Sequence, residues 1–330
     1  MQQIIFASAT IIIGVFGCVA YFYFSNLVLD RMYPARGADA ARNINRANLI
    51  RPWLFIGPAV LLLTVYLIYP VIWSLYLSFY DSSGRNFVGV DNYAFLAGDA
   101  KFRESLGNNM LWLIFVPTMS TLLGLLAAAL TDRIKWGTFA KSLIFMPMAI
   151  SFVGAAVIWK FIYEFRGEPA EQIGLLNAIV IAFGGEPQAW VTVPFWNNFF
   201  LMIILVWIQT GFAMVILSAA LRGIPEETIE AAILDGATPL QVFWRIKVPQ
   251  IWGTIAVVWT TITILVLKVF DIVFAMTNGQ WGTQVLANMM YDWSFRAGDA
   301  GRGSAIAMVI MLLVTPIMVW NILNARKEMR

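Results

Sequence analysis

Seven apolar runs dominate the chain: residues 4–29, 53–80, 108–130, 142–163, 195–221, 251–274 and 304–323. About 20 apolar residues in a helix cross the hydrocarbon of a bilayer, so each run is long enough to span. Only 12% of the residues are charged and the mean hydropathy is +0.74. A soluble domain is typically about one quarter charged. The pattern predicts an all-α integral membrane protein with seven transmembrane helices. The first run begins after the uncharged Met1-Gln2-Gln3, and Tyr21-Phe22-Tyr23-Phe24 stands where a cleavage site needs small residues. It is read as a retained helix, not a signal peptide. Pro58 and Pro70 in the second run and Pro147 in the fourth are expected kink points, which neighbours in a bundle tolerate.

Lys and Arg are spread unevenly between the runs. Segments 30–52, 131–141 and 222–250 and the C-terminal end hold 14 of them; segments 81–107, 164–194 and 275–303 hold 6. The positive-inside rule then places the first set in the cytoplasm and the N-terminus outside. The expected organisation is an extra N-terminal helix with a basic linker, residues 1–52, followed by a six-helix domain, residues 53–330. The linker carries Arg31, Arg36, Arg42, Arg46 and Arg51, and a short basic turn carries Arg133 and Lys135. A short helix is expected near 173–183 in the longest outer segment.

The absence of His removes imidazole acid–base chemistry and His metal ligation. The single Cys18 permits neither an internal disulfide nor a thiolate zinc site. No metal site, bound cofactor or nucleic-acid face is expected on this chain.

Between the fifth and sixth runs lies a polar stretch that still looks folded. Pro225 can open a helix, and Glu226, Glu227 and Glu230 suit its positive end. Ile229, Ala232 and Ile233 recur at helical spacing. Gly236 can turn left-handed and stop the helix. Thr238 and Pro239 restart one as cap and first-turn residue. Leu240, Phe243 and Trp244 form a second apolar face, limited by Pro249. Such a hairpin between spans calls for a second protein.

This stretch resembles the cytoplasmic EAA loop of ABC-importer permeases. Glu230, Ala231, Ala232, Gly236, Ile246 and Pro249 fall in that motif's register, with Val248 where Leu is usual. The run Phe270-Asp271-Ile272, followed by Met276-Thr277 and Gly279, resembles the MalF-like subtype of carbohydrate importers, with Gln280 where a second Gly is usual. The resemblance implies a permease subunit in a bacterial or archaeal cytoplasmic membrane that passes a sugar or related polyol. It implies that Glu230, Ala231, Ala232, Gly236, Phe243, Ile246 and Pro249 couple the chain to an ATPase dimer, where ATP and Mg would reside. It also implies a second, MalG-like permease and a periplasmic or lipid-anchored solute-binding protein. No Walker A sequence occurs in the chain, so ATP hydrolysis is expected on a separate subunit and the chain itself is no enzyme.

Position and chemistry suggest Gln209 and Phe212 on the fifth run, and Trp259 and Thr263 on the sixth, as candidates along the solute path. Each pair shares a helix face, though bundle packing is the more ordinary reading of each residue. Lys268 with Asp271, and Lys160 with Glu164, are expected to pair at helical spacing near the membrane boundary. Gly298, Gly301 and Gly303 do not match a phosphate-loop spacing, and Asp292 and Asp299 read as solvated loop acids. Two rival readings remain: a secondary transporter without an ATPase, or an ABC permease for a non-sugar solute. The first calls for two related halves and a mid-span carboxylate, and neither is evident.

Overall fold

The computed structural model describes residues 2–36, 39–132, 134–167 and 170–328; Arg133 and Arg330 lie outside them. The helices are α1 (Gln2–Met32), α2 (Ala40–Leu63), α3 (Tyr69–Leu77), α4 (Asp91–Gly98), α5 (Ala100–Thr131), α6 (Gly137–Phe145), α7 (Phe152–Ile162) and α8 (Leu175–Ala182). They continue as α9 (Trp196–Arg222), α10 (Glu226–Leu234), α11 (Pro239–Val242), α12 (Val248–Gln250), α13 (Trp252–Val266), α14 (Asp271–Met276), α15 (Leu286–Tyr291) and α16 (Ala300–Glu328). Among the described residues, five continuous helices are long and apolar enough to cross a membrane, and up to seven spans result if each of two bent helix pairs counts as one.

The chain divides into two compact units, residues 1–73 and 74–330. Residues 40–77 form one long run of helical turns. Much of the Arg-rich linker is therefore helix: Ala, Asn and Arg at 40–51 do not interrupt it. In this first unit Phe22 stacks on Phe55 with centroids 5.0 Å apart. Tyr21 donates to the Leu54 carbonyl at 3.0 Å, and Arg51 pairs with Asp30 at 2.7 Å. Pro70 cannot donate a backbone hydrogen bond, and the turn before it widens to a π-turn at Thr64–Ile68, where the Tyr69 N–H reaches the Thr64 carbonyl.

In the second unit α9 is the central element. Leu201, Met202, Ile204, Leu205, Ile208, Met214 and Leu217 are fully buried against α5, α6 and α13. Two glycines permit this close approach. A Cβ at Gly124 of α5 would collide with Ala213 and lie 2.9 Å from the Met214 nitrogen. A Cβ at Gly211 of α9 would lie 2.6 Å from the Ile144 carbonyl oxygen. Small residues let membrane helices pack where water exclusion supplies no driving force.

Two of the seven runs are not straight helices. The fourth is bent by 106° between residues 137–149 and 152–162. Pro147 sits in a short 3₁₀ turn, Ile150 is extended, and Ser151 caps α7 by accepting from the Gly154 N–H at 3.1 Å. The sixth breaks after Val266 and resumes at Asp271, with Phe270 in a non-helical conformation. Neither expected ion pair forms among the described residues. Asp271 is not on the same helical turn as Lys268, and Glu164 lies beyond the end of α7 and faces Arg166 at 3.8 Å. The short helix expected near 173–183 is α8.

Candidate functional site

The polar stretch after α9 folds as a helical hairpin whose turns follow from local chemistry. Pro225 immediately precedes α10 and leaves Glu226 and Glu227 in its first turn, one position later than a proline in the first turn itself. Gly236 adopts φ +84°, the left-handed region that glycine enters without penalty. The Ala237 N–H then reaches the Ala232 carbonyl and the Gly236 N–H reaches Ile233, both at 3.0 Å, a Schellman closure of α10. Thr238 and Gln241 form a reciprocal capping box at the start of α11, with Pro239 in its first turn. Pro249 repeats the device seen at Pro70: a π-turn at Phe243–Lys247 precedes it, and the Val248 N–H reaches the Phe243 carbonyl.

The hairpin has an inner and an outer apolar set. Ala232 and Val242 are buried, and Ile229, Phe243 and Val248 pack partly against the main core. Facing away are Leu234, 88% exposed, Leu240, 69%, Ile233, 59%, and Trp244, 52%. The sequence pattern grouped Ala232 with Ile233, and Phe243 with Leu240 and Trp244. The structure separates both groups, since neighbouring residues on a helix point about 100° apart. Of the motif residues, Glu230, Ala231, Gly236 and Pro249 are exposed, Ile246 and Phe243 are intermediate, and Ala232 points inward.

The root of the hairpin carries a charge cluster that sequence reasoning missed. Asp132, just past α5, accepts from Lys141 of α6, from Ser218 of α9 at 3.1 Å, and from Arg222 Nη2 at 2.7 Å and Nε at 3.0 Å. Lys141 also donates to Ser218 at 2.6 Å. Asp132 and Lys141 are each 17% exposed, Arg222 is 65% exposed. Burial alone would raise the Asp132 pKa. The opposing hydrogen bonds from Lys141, Arg222 and Ser218 outweigh it and hold the carboxyl below its usual range. A cavity of about 180 Å³ beside the cluster is lined by Ala129, Asp132, Leu221, Arg222, Phe243 and Lys247, so residues at both ends of the hairpin face it.

The four path candidates are not brought into one open site. Gln209 is buried in α9, and Phe212 packs partly against the core. Trp259 donates to Thr118 of α5 at 3.3 Å, and the Thr263 hydroxyl bonds the Trp259 carbonyl of its own helix at 2.8 Å. The break between α13 and α14 instead borders a cavity of about 470 Å³ lined by Phe152, Leu205, Leu265, Lys268, Val269, Phe270, Asp271 and Ile272. It combines aromatic rings, a cation and a carboxylate. Beyond it, Thr277 and Thr283 share a buried hydrogen bond at 2.6 Å, and Gly279 at φ +72° leaves room for the Gln284 and Asn288 side chains.

Residues 120–327 match the model of the family described as binding-protein-dependent transport system inner membrane component. The chain belongs to this family. It is a membrane-embedded permease subunit of an ABC importer, a transport component. It is 68% identical over 332 residues to the alpha-glucoside transport system permease protein AglF of Rhizobium meliloti, covering 99% of both chains. It is 51% identical over 279 residues to the osmoprotective compounds uptake permease protein GgtC of Synechocystis, covering 84% of this chain and all of the relative. The fold is similar to that of a bacterial ABC transporter involved in import of the acidic polysaccharide alginate, with TM-score 0.71 at 21% identity over 86% of this chain and 98% of the other.

Proposed function

We propose that this permease carries an α-glucoside or a related small polyhydroxylated solute, and that a separate ATPase drives it through the hairpin of residues 226–250. The observation that carries the proposal is the hairpin's outward set, Ile233, Leu234, Leu240 and Trp244, presented on a rigid, doubly capped element. Apolar side chains clustered outside the hydrocarbon mark a protein contact. The solute class is supported by kinship with the alpha-glucoside and osmoprotective-compound permeases. The cavity at the α13–α14 break has chemistry to match: ring faces for the apolar side of a sugar, and Lys268 and Asp271 for its hydroxyls.

In this reading the hairpin lies in the cytoplasm and the N-terminus outside, as the distribution of Lys and Arg favours. A second, MalG-like permease completes the path. Two ATPase copies bind ATP and Mg, and a solute-binding protein delivers cargo to the opposite face. ATPase closure biases the permease between states with access to either side, because hairpin contacts differ between those states. The test is reconstitution of the full complex with its binding protein and measurement of solute-stimulated ATP hydrolysis. Mono- and disaccharides, polyols, amino acids and phosphate form the panel. Stimulation by α-glucosides is expected; stimulation confined to amino acids or phosphate would reject the solute class.

A further inference from the structure

The geometry points to Asp132 as a positioning residue that ties the hairpin to three spans at once. This rests on the hairpin being the ATPase contact. Three independent features converge on that carboxylate.

First, its placement is electrostatically unfavourable without partners. A carboxylate at the C-terminal end of a helix meets the negative end of the dipole, so Asp132 after α5 needs cations. It has them from two other helices: Lys141 of α6 and Arg222 at the last residue of α9. Second, the assembly is shielded enough to be stiff. Asp132 and Lys141 are largely buried, and Ser218 fills the remaining space by bonding both Asp132 oxygens at 3.1 Å and accepting from Lys141. Charge-assisted hydrogen bonds of this kind fix geometry as well as contribute energy. Third, the cluster sits where the hairpin is rooted. Arg222 lies three residues before Pro225, and Phe243 and Lys247 of the returning arm line the same cavity.

A hairpin attached only through its own chain would hand a push to α9 and α13, its covalent neighbours. The cluster adds α5 and α6, which are joined to the hairpin by no short stretch of chain. Displacing Arg222 without Asp132 would separate a shielded carboxylate from its cation, which is costly. The ends of α5, α6 and α9 therefore move together with the hairpin, and the α5–α9 crossing that forms the core is displaced as one body.

The experiment uses the complete importer in lipid vesicles with Asp132→Asn. Solute imported per ATP hydrolysed is measured together with assembly, thermal stability and cross-linking of Asp235→Cys, an exposed position on the hairpin, to the ATPase. Assembly, cross-linking and ATP hydrolysis are expected to persist, while import per ATP falls by about tenfold, equivalent to about 1.4 kcal/mol of coupling. The exchanged pair Asp132→Arg with Arg222→Asp is expected to recover part of that loss. Unchanged import per ATP in an assembled Asp132→Asn complex overturns the inference. If Asp132→Asn reduces assembly, the same ratio is measured for Ser218→Ala, which keeps both cations. A lowered ratio supports the role, and an unchanged one overturns it. Absence of the Asp235→Cys cross-link in the otherwise unaltered protein would instead reject the hairpin as the ATPase contact, so the two failures are told apart.

Discussion

Leu234 and Leu240 offer the cleanest separation of folding from partner binding. They are 88% and 69% exposed, so truncation to Ala removes almost nothing that the chain buries within itself. Complete burial of a leucine against a partner is worth about 2 kcal/mol or somewhat more, since each buried methylene contributes about 0.8 kcal/mol. Leu234→Ala is therefore expected to weaken ATPase binding by about 30-fold if the partner covers the side chain fully. Leu240→Ala should do somewhat less. The double variant approaches the product of the two if the residues do not touch the same partner group. The assay is equilibrium binding of the purified ATPase to permease held in nanodiscs, with thermal unfolding of the permease recorded in parallel. Val242→Ala is the control: it removes a buried side chain and should lower permease stability as well as binding. Unchanged ATPase affinity in the Leu234→Ala, Leu240→Ala double variant, with the complex still formed, would refute the assignment of this face.

Gly124→Ala should lower thermal stability, because the new Cβ collides with Ala213 and crowds the Met214 backbone; overpacking of this kind costs about 1–3 kcal/mol. Adding Ala213→Gly should restore part of it, and no restoration would show that this crossing is not the tight one. Asp81 accepts from Asn86 Nδ2 at 2.7 Å, Ser83 Oγ at 2.8 Å and the Arg85 N–H at 3.0 Å, which holds its carboxyl far below the usual carboxylate range. A depressed native pKa means that its contribution is complete above the unfolded value, about 3.9, and is lost only as pH falls through the native one. Exchange protection of the Arg85 amide, corrected for intrinsic rates, is thus expected to stay constant from pH 7 to about 5. Asp81→Ala should lower it throughout, and a fall in the unaltered protein above pH 5 would contradict the pairing.

The membrane class, the number of apolar runs and both caps of the hairpin were legible in the residues. Each depends on neighbours within a few positions: hydropathy over one span, Gly236 at a left-handed turn, Thr238 before Pro239. The breaks were only half legible. Pro147, Pro70 and Pro249 announced disturbance, but the outcome was a 106° bend in one case and a π-turn in the other two. A proline removes one donor and leaves its surroundings to decide how the chain compensates. The interruption at 267–270 has no proline at all, and it takes Asp271 off the helical turn that carries Lys268.

What the sequence determined alone was which segments enter the membrane and where the hairpin turns, because transfer from water and backbone sterics act locally. The tertiary structure decided which side of the hairpin faces outward and which charges meet. Asp132 meets Lys141 from 9 positions away, and Ser218 and Arg222 from 86 and 90 positions away. No periodicity links such residues. They meet because Gly124 and Gly211 let α9 press against α5 and α6, and that approach carries the ends of all three helices to the root of the hairpin.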